Sequence, residues 1–224
     1  MLRIEDDYCE ASKIYDSVIP SNKTEFIVMQ NHKMFIIDRK TLTPYNEEGL
    51  SFIWDFVNLN GVDVAKVRKS TKQCNKYNLL RRDGTYVLEE WSDEIDMSDA
   101  DGGYPLVRMG NEFNRVNPVD GKFILDAWSY NVWPVLNDIL AAEYERDGKL
   151  TFELVRTNGK SVNEIQYDDL CLCHMTDNRM KFDGYYVMKD DVWYHVENNS
   201  ENLDIINLVP SNEFKSHINN LSYQ

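Results

Sequence analysis

Two short stretches concentrate the residues that could do chemistry. SDEIDMSDADGG, residues 92–103, sets Asp93, Glu94, Asp96, Asp99 and Asp101 ahead of a glycine pair. Several carboxylates on a sharply turned loop are what a hard cation such as calcium requires. The EF-hand register fails, because with Gly102 at position six, position one is Met97 and position twelve is Arg108. A solvated acidic loop is the plainer reading, and Asp96, Asp99 and Asp101 are kept as candidates for a cation site of another geometry. LCLCH, residues 170–174, brings Cys171, Cys173 and His174 together. Zinc wants such ligands with a second pair elsewhere, which Cys9 and His195 could supply. The alternation with Leu170 and Leu172 equally describes a buried strand, in which free cysteine acts as a small apolar residue. Neighbours on a strand point to opposite faces, so a Cys173–His174 nucleophile pair is disfavoured.

No phosphate-binding loop, nucleophile elbow, HExxH or dinucleotide-binding glycine pattern is present, and the chain has four histidines. Paired carboxylates say little in a chain with 38 acids against 24 lysines and arginines. The formal charge of −14 repels nucleic-acid phosphates and anionic lipid, so neither is expected as a partner. No cofactor is implied. MLRIEDDYCE carries acids where a secretory leader has bases, and no apolar run reaches spanning length, so a reducing, cytoplasmic setting is expected.

The elements that must position these residues are mostly strands. Asp83-Gly84, Asp120-Gly121, Asp147-Gly148, Asn158-Gly159 and Asp183-Gly184 suit two-residue hairpin turns. Short alternating runs flank them, among them residues 24–30, 34–38, 62–67, 149–155 and 185–188, which predicts an all-β meander. Helical spacing is confined to residues 8–19 and 211–221, two short terminal helices, and to a weaker candidate over 132–146 that competes with a strand reading. In DVWYHV, residues 191–196, either Trp193 or Tyr194 faces outward, and both are kept as candidates for a partner surface.

A period organises the middle of the chain. Trp54, Trp91 and Trp128 stand 37 residues apart, Gly84, Gly121 and Gly159 stand 37 and 38 apart, and Asn78 and Asn114 stand 36 apart. Recurrence of this length marks repeat architectures. Each unit reads as a hairpin plus one strand, with a tryptophan wedged between neighbours. The predicted fold is therefore all-β, from units of about 37 residues, propeller-like or an open array. Residues 1–33 form an N-terminal segment with a short helix and first strand, 34–170 the repeats, and 171–224 a degenerate terminal repeat and cap.

KYNLLRRDGTYVLEEWSDEI (76–95) and EFNRVNPVDGKFILDAWSYNV (112–132) resemble the WG-repeat family, β-rich repeat proteins of bacteria and phages. Tyr77-Asn78 stands in place of Trp-Gly, Gly84 at the turn glycine, and Trp91-Ser92-Asp93 at the later aromatic–Asp step; the naming Trp-Gly dipeptide is absent. The resemblance implies packing, not catalysis. The expected function is a non-enzymatic module that binds a protein or builds an assembly, possible settings being a host cytoplasm or a virion. The alternative is a metal- or ligand-dependent enzyme with its site at a repeat interface, near Asp93 to Asp101 or near Cys171, Cys173 and His174.

Overall fold

The computed structural model describes residues 11, 14–21, 24–46, 48–98, 103–136, 138–173, 184–198 and 206–210. Among the described residues seventeen strands form five antiparallel sheets, each in chain order. The first holds β1 (Ser17–Pro20), β2 (Glu25–Gln30) and β3 (Lys33–Asp38). The second holds β4 (Phe52–Leu59), β5 (Val62–Ser70) and β6 (Asn75–Arg81), and the third β7 (Glu94–Asp96), β8 (Leu106–Met109) and β9 (Glu112–Arg115). The fourth holds β10 (Asn131–Leu136), β11 (Ile139–Arg146), β12 (Lys149–Arg156) and β13 (Ser161–Tyr167). The fifth holds β14 (Asp169–Cys173), β15 (Gly184–Lys189), β16 (Val192–Asn198) and β17 (Ile206–Pro210). The sheets begin at residues 17, 52, 94, 131 and 169, so one sheet recurs at steps near the period of about 37 read from the sequence, with the second repeat longer.

The chain divides into two compact units, Met1–Asn111 with Arg115–Phe123, and Glu112–Asn114 with Ile124–Gln224. In the first unit Ile27, Ile36, Leu50, Ile53, Val67 and Leu80 share one core. The opposite face of the first sheet packs Phe26, Val28 and Ile37 with Ala11 and Val18. Strand β2 is thus buried on both faces, which explains its unbroken run Phe-Ile-Val. In the second unit Ile139, Ala141, Phe152, Leu154, Tyr167 and Val187 share a core.

Three turns repeat one geometry. The N–H of Arg81 bonds to the Thr85 carbonyl, that of Asn117 to Lys122, and that of Arg156 to Lys160, at 2.8–2.9 Å. Gly84, Gly121 and Gly159 occupy the left-handed place in these turns, with φ of 87°, 76° and 85°. Asp38 to Thr43 is a fourth such bond, and there Leu42 takes the place at φ 57°. After each turn the chain returns along the strand it has left, through bridges Ile37 to Pro44, Leu80 to Tyr86 and Val116 to Phe123.

A methyl group added at Gly84 would stand 2.6 Å from the carbonyl oxygen of Tyr45, and one at Gly159 3.0 Å from that of Ile124. At Gly121 it would come closer still to the carbonyl of Val87. Tyr45, Val87 and Ile124 each follow the bridging residue of the preceding return segment. Each of these three turn glycines therefore seats on the backbone of the repeat before it, with little or no room for a side chain.

Buried asparagines hold the return segments down. Asn78 donates through Nδ2 to the Leu88 carbonyl at 2.9 Å and accepts at Oδ1 from the Leu88 N–H at 3.0 Å. Asn114 makes the same pair of bonds with Leu125, both at 3.0 Å. In the first repeat the amide sits on the other side. Asn46, in the return segment, accepts from the Ile36 N–H at 2.9 Å and donates to the Glu48 carbonyl.

The helix expectations fare differently. Within 8–19, a helical bond joins the Tyr15 N–H to the Ala11 carbonyl, but Ser17–Pro20 is strand β1, paired to β2. Residues 132–146 form β10 and β11. Ile139, Leu140, Ala141 and Ala142 are all buried in a strand paired on both sides, so pairing overrides their helix propensity. Pro134 is accommodated because β10 is an edge strand. The 211–221 candidate lies outside the described residues.

Truncating Asn78 or Asn114 to alanine strands a buried N–H and a buried carbonyl. Each change is expected to cost on the order of 3 kcal/mol in urea unfolding. Asn58→Ala, which loses only an exposed bond to Asp63, should stay within about 0.5 kcal/mol of wild type.

Candidate functional site: an aromatic and cationic face on the second sheet

Strands β4, β5 and β6 place Phe52, Arg68 and Tyr77 side by side in register. Side chains two apart on a strand share a face, so Lys66 joins Arg68. Together with Trp54 they form a ladder of alternating rings and cations. Arg68 lies 5.7 Å from the Phe52 ring and 5.9 Å from the Trp54 ring, while Lys66 lies 5.3 Å from Trp54 and 4.8 Å from Tyr77. Phe52 meets Trp54 edge-on at 4.6 Å, and Trp54 lies 6.2 Å from Tyr77. Phe52 is 40 % exposed and Val57 42 %, beside a half-buried Trp54.

The cations of this region differ in how they are satisfied. Arg82, over the Phe56 ring at 4.3 Å, bonds Asp63 at 2.7 Å and Glu25 at 2.5 Å. Lys66 donates to the Ile95 carbonyl. Burial holds its pKa below the ordinary lysine value, while Glu94 and Asp96 pull it back. Arg68 has its rings only. No carboxylate or carbonyl among the described residues accepts from it, and its Nε is buried without a hydrogen bond.

Beside the ladder opens a cleft of about 390 Å³, walled by Trp54, Val57 and Met97 with Asp55, Lys66 and Asp96 at its polar side. Two further clefts, of about 440 and 250 Å³, lie where Gly84 and Gly159 seat on the preceding repeat. In the first of these Lys69 pairs with Glu48 and covers the Trp91 ring at 4.6 Å. In the second Arg146 pairs with Glu153 at 2.9 Å, and burial pushes the Tyr144 hydroxyl up to about 12.

Against the residues singled out in the sequence, the placements are mixed. Trp91 and Trp128 are equivalent, each standing before a serine, Ser92 or Ser129, that bridges to Tyr77 or Phe113 and donates through Oγ to that residue's carbonyl at 3.0 Å. Trp54 is not their equivalent. Leu50 holds the bridging place in its repeat, opposite Met34, and Trp54 sits four residues later inside β4. Its 37-residue distance to Trp91 is a coincidence of a longer second repeat. Trp193 is 6 % exposed and packs with Tyr186, and Tyr194 packs against the second unit's core, so neither offers the open aromatic face expected.

The described acidic candidates, Asp93 and Asp96, are engaged. Asp93 takes Lys76 at 2.6 Å on one oxygen and the Gly110 N–H at 2.7 Å on the other, and these bonds hold its pKa low. Asp96 accepts the hydroxyl and N–H of Ser98, which lower its pKa in the same way. Asp99, Asp101 and His174, with the side chain of Cys173, lie outside the described residues. Cys171 packs beside Tyr186 and Trp193, and His195 Nδ1 stands 2.6 Å from Glu197 Oε1. Among the described residues no three His, Cys, Asp or Glu side chains group closely enough to hold a metal ion. Sequence reasoning missed Phe52, Lys66, Arg68 and Tyr77 as a set. The signal was there in FIW and KVR, whose outer members recur at strand spacing.

No protein-family pattern matches the chain, and no curated protein matches it. Among solved structures it is similar to the tricorn protease, at 13 % identity and a TM-score of 0.28, over 86 % of this chain and 20 % of that one. It is also similar to KlHsv2 with loop 6CD replaced by a Gly-Ser linker, at 9 % identity and a TM-score of 0.29, over 87 % of this chain and 69 % of that one. At such scores neither likeness carries an argument.

Between the lowered folded-state pKa of Lys66 and the ordinary 10.5, the unfolded chain holds a proton that the folded chain lacks. Stability withheld by this buried charge therefore returns as pH rises through that window. The stability of wild type relative to Lys66→Met should shift in favour of wild type between neutral pH and 10.5, followed by denaturant unfolding. A flat or opposite difference would show that the ammonium is not desolvated.

Proposed function

We propose that the protein is a non-enzymatic module that binds a protein partner or joins an assembly through the second-sheet face. The observation that carries this reading is the exposed Phe52 and half-buried Trp54, flanked by Arg68 and bordered by the Trp54–Val57–Met97 cleft. Large rings and arginine are the side chains on which interfaces most often depend, and a neighbouring pocket gives a partner's apolar residue somewhere to go. The β-repeat plan supports it, since stacked small sheets present several edges and loops without needing a catalytic centre. A role as a phage or virion component, and membership of the WG-repeat family, are part of the same proposal and rest on the sequence resemblance alone. A cytoplasmic location belongs to the proposal too and rests on the acidic residues at 5–7 and the absence of a long apolar run in the sequence.

The metal-dependent alternative has less support, because Asp93 and Asp96 spend their oxygens on Lys76, Gly110 and Ser98. Calcium, zinc or EDTA should leave the melting temperature unchanged; a shift that follows metal concentration would revive that reading.

Affinity capture with wild type, Trp54→Ser and Tyr130→Ser separates specific from general stickiness. Tyr130 is an exposed aromatic of the second unit, 45 % accessible. A partner held in fixed stoichiometry by wild type and Tyr130→Ser, and lost by Trp54→Ser, is the expected result. Equal retention by all three would end the proposal.

A further inference from the structure

We infer that the partner presents a carboxylate side chain, flanked by apolar residues, and that Arg68 receives it. This deepens the protein-binding reading and rests on it. The argument starts from supply and demand of charge. The chain carries 38 acids to 24 lysines and arginines, so cations have carboxylates to choose from. The other cations around this sheet have taken acceptors: Arg82 takes Asp63 and Glu25, Lys76 takes Asp93, and Lys66, on the same face, takes the Ile95 carbonyl. Arg68 holds no acceptor among the described residues, and its guanidinium stands beside the Phe52–Trp54 ring pair, 5.7 and 5.9 Å from the two centroids. A guanidinium packed beside two rings, with its Nε buried, has less freedom for binding to remove. Its planar fork matches a carboxylate by two parallel bonds, which are shorter and stronger than neutral ones.

Geometry sets the rest of the motif. Phe52 meets Trp54 edge-on, and Trp54 walls the cleft with Val57 and Met97, so apolar residues flanking the carboxylate would meet apolar surface. A partner chosen by net charge alone would instead be basic, drawn by the −14 of the whole chain. The local chemistry of Arg68 and the overall charge thus point to opposite partners, and an experiment can choose between them.

Three capped peptides, acetyl-Leu-Glu-Leu-amide and its Gln and Lys twins, are titrated at millimolar concentration into the intact protein. Binding is read from the Arg68 Nε–Hε resonance and tryptophan fluorescence. The Glu peptide should move the Arg68 resonance and bind roughly tenfold tighter than the Gln twin. Arg68→Gln should erase that preference, and Arg68→Lys should restore part of it. Equal affinity for Glu and Gln, tighter binding of the Lys twin, or no binding of the Glu peptide would each overturn the assignment. Should Arg68→Gln fail to fold, the wild-type series decides by itself. Capture by the Trp54 face is measured separately, so the wider binding proposal can stand or fall independently.

Discussion

One close approach governs the architecture. At Gly84 and Gly121 the backbone of one repeat lies so near a carbonyl of the repeat before it that a single methyl group has no room, and at Gly159 the approach is nearly as close. The same residues need a left-handed φ to close their turns. Two demands, one conformational and one steric, therefore fall on one position, and glycine meets both. Leu42 shows how they separate. It is the first such turn residue in the described chain, and it bears the left-handed strain, about 1 kcal/mol, with a side chain that packs against the first sheet's core. Its carbonyl also accepts the Tyr15 hydroxyl at 3.0 Å.

From that spacing the remaining structure follows. With the turn fixed, the return segment runs back along its strand, and its N–H and C=O groups are shut away from water. The amides of Asn78 and Asn114 satisfy them, which is why an amide is buried in an otherwise apolar strand. The segment then delivers Trp91-Ser92 or Trp128-Ser129 to the strand's far end and passes into the next sheet. The outer face of the second sheet is left to other uses, and there the rings and cations of Phe52, Arg68, Trp54, Lys66 and Tyr77 gather.

Much of this was legible in the sequence, and for a physical reason. Turn glycines and clamping asparagines are forced by backbone geometry, so they recur at fixed distance even when other residues drift. Tryptophan spacing was a weaker guide, because a large ring fits many apolar places; Trp54 shares the interval of Trp91 and Trp128 without sharing their position. The first repeat was harder to see, since Leu42 stands for the glycine and the amide is contributed by Asn46 from the opposite strand. Residues 132–146 misled through good helix formers whose fate was set by strands on both sides, a long-range fact. The candidate site was nearly invisible. Of the acids and cysteines that drew notice, Asp93 and Asp96 are tied up and Cys171 is packed away, whereas Arg68 stands out for bonds it does not make, and no sequence pattern reports an absent bond.

Two glycines of the first unit isolate the steric part of the claim. Gly84 and Gly61 have nearly equal φ, 87° and 82°, but an added methyl meets the Tyr45 carbonyl at one and nothing within 4 Å at the other. Equilibrium unfolding of Gly84→Ala beside Gly61→Ala should show a loss of about 3 kcal/mol for the first and about 1 kcal/mol for the second. Equal losses would mean that turn conformation alone explains the glycines, and that repeats are not seated on one another's backbone.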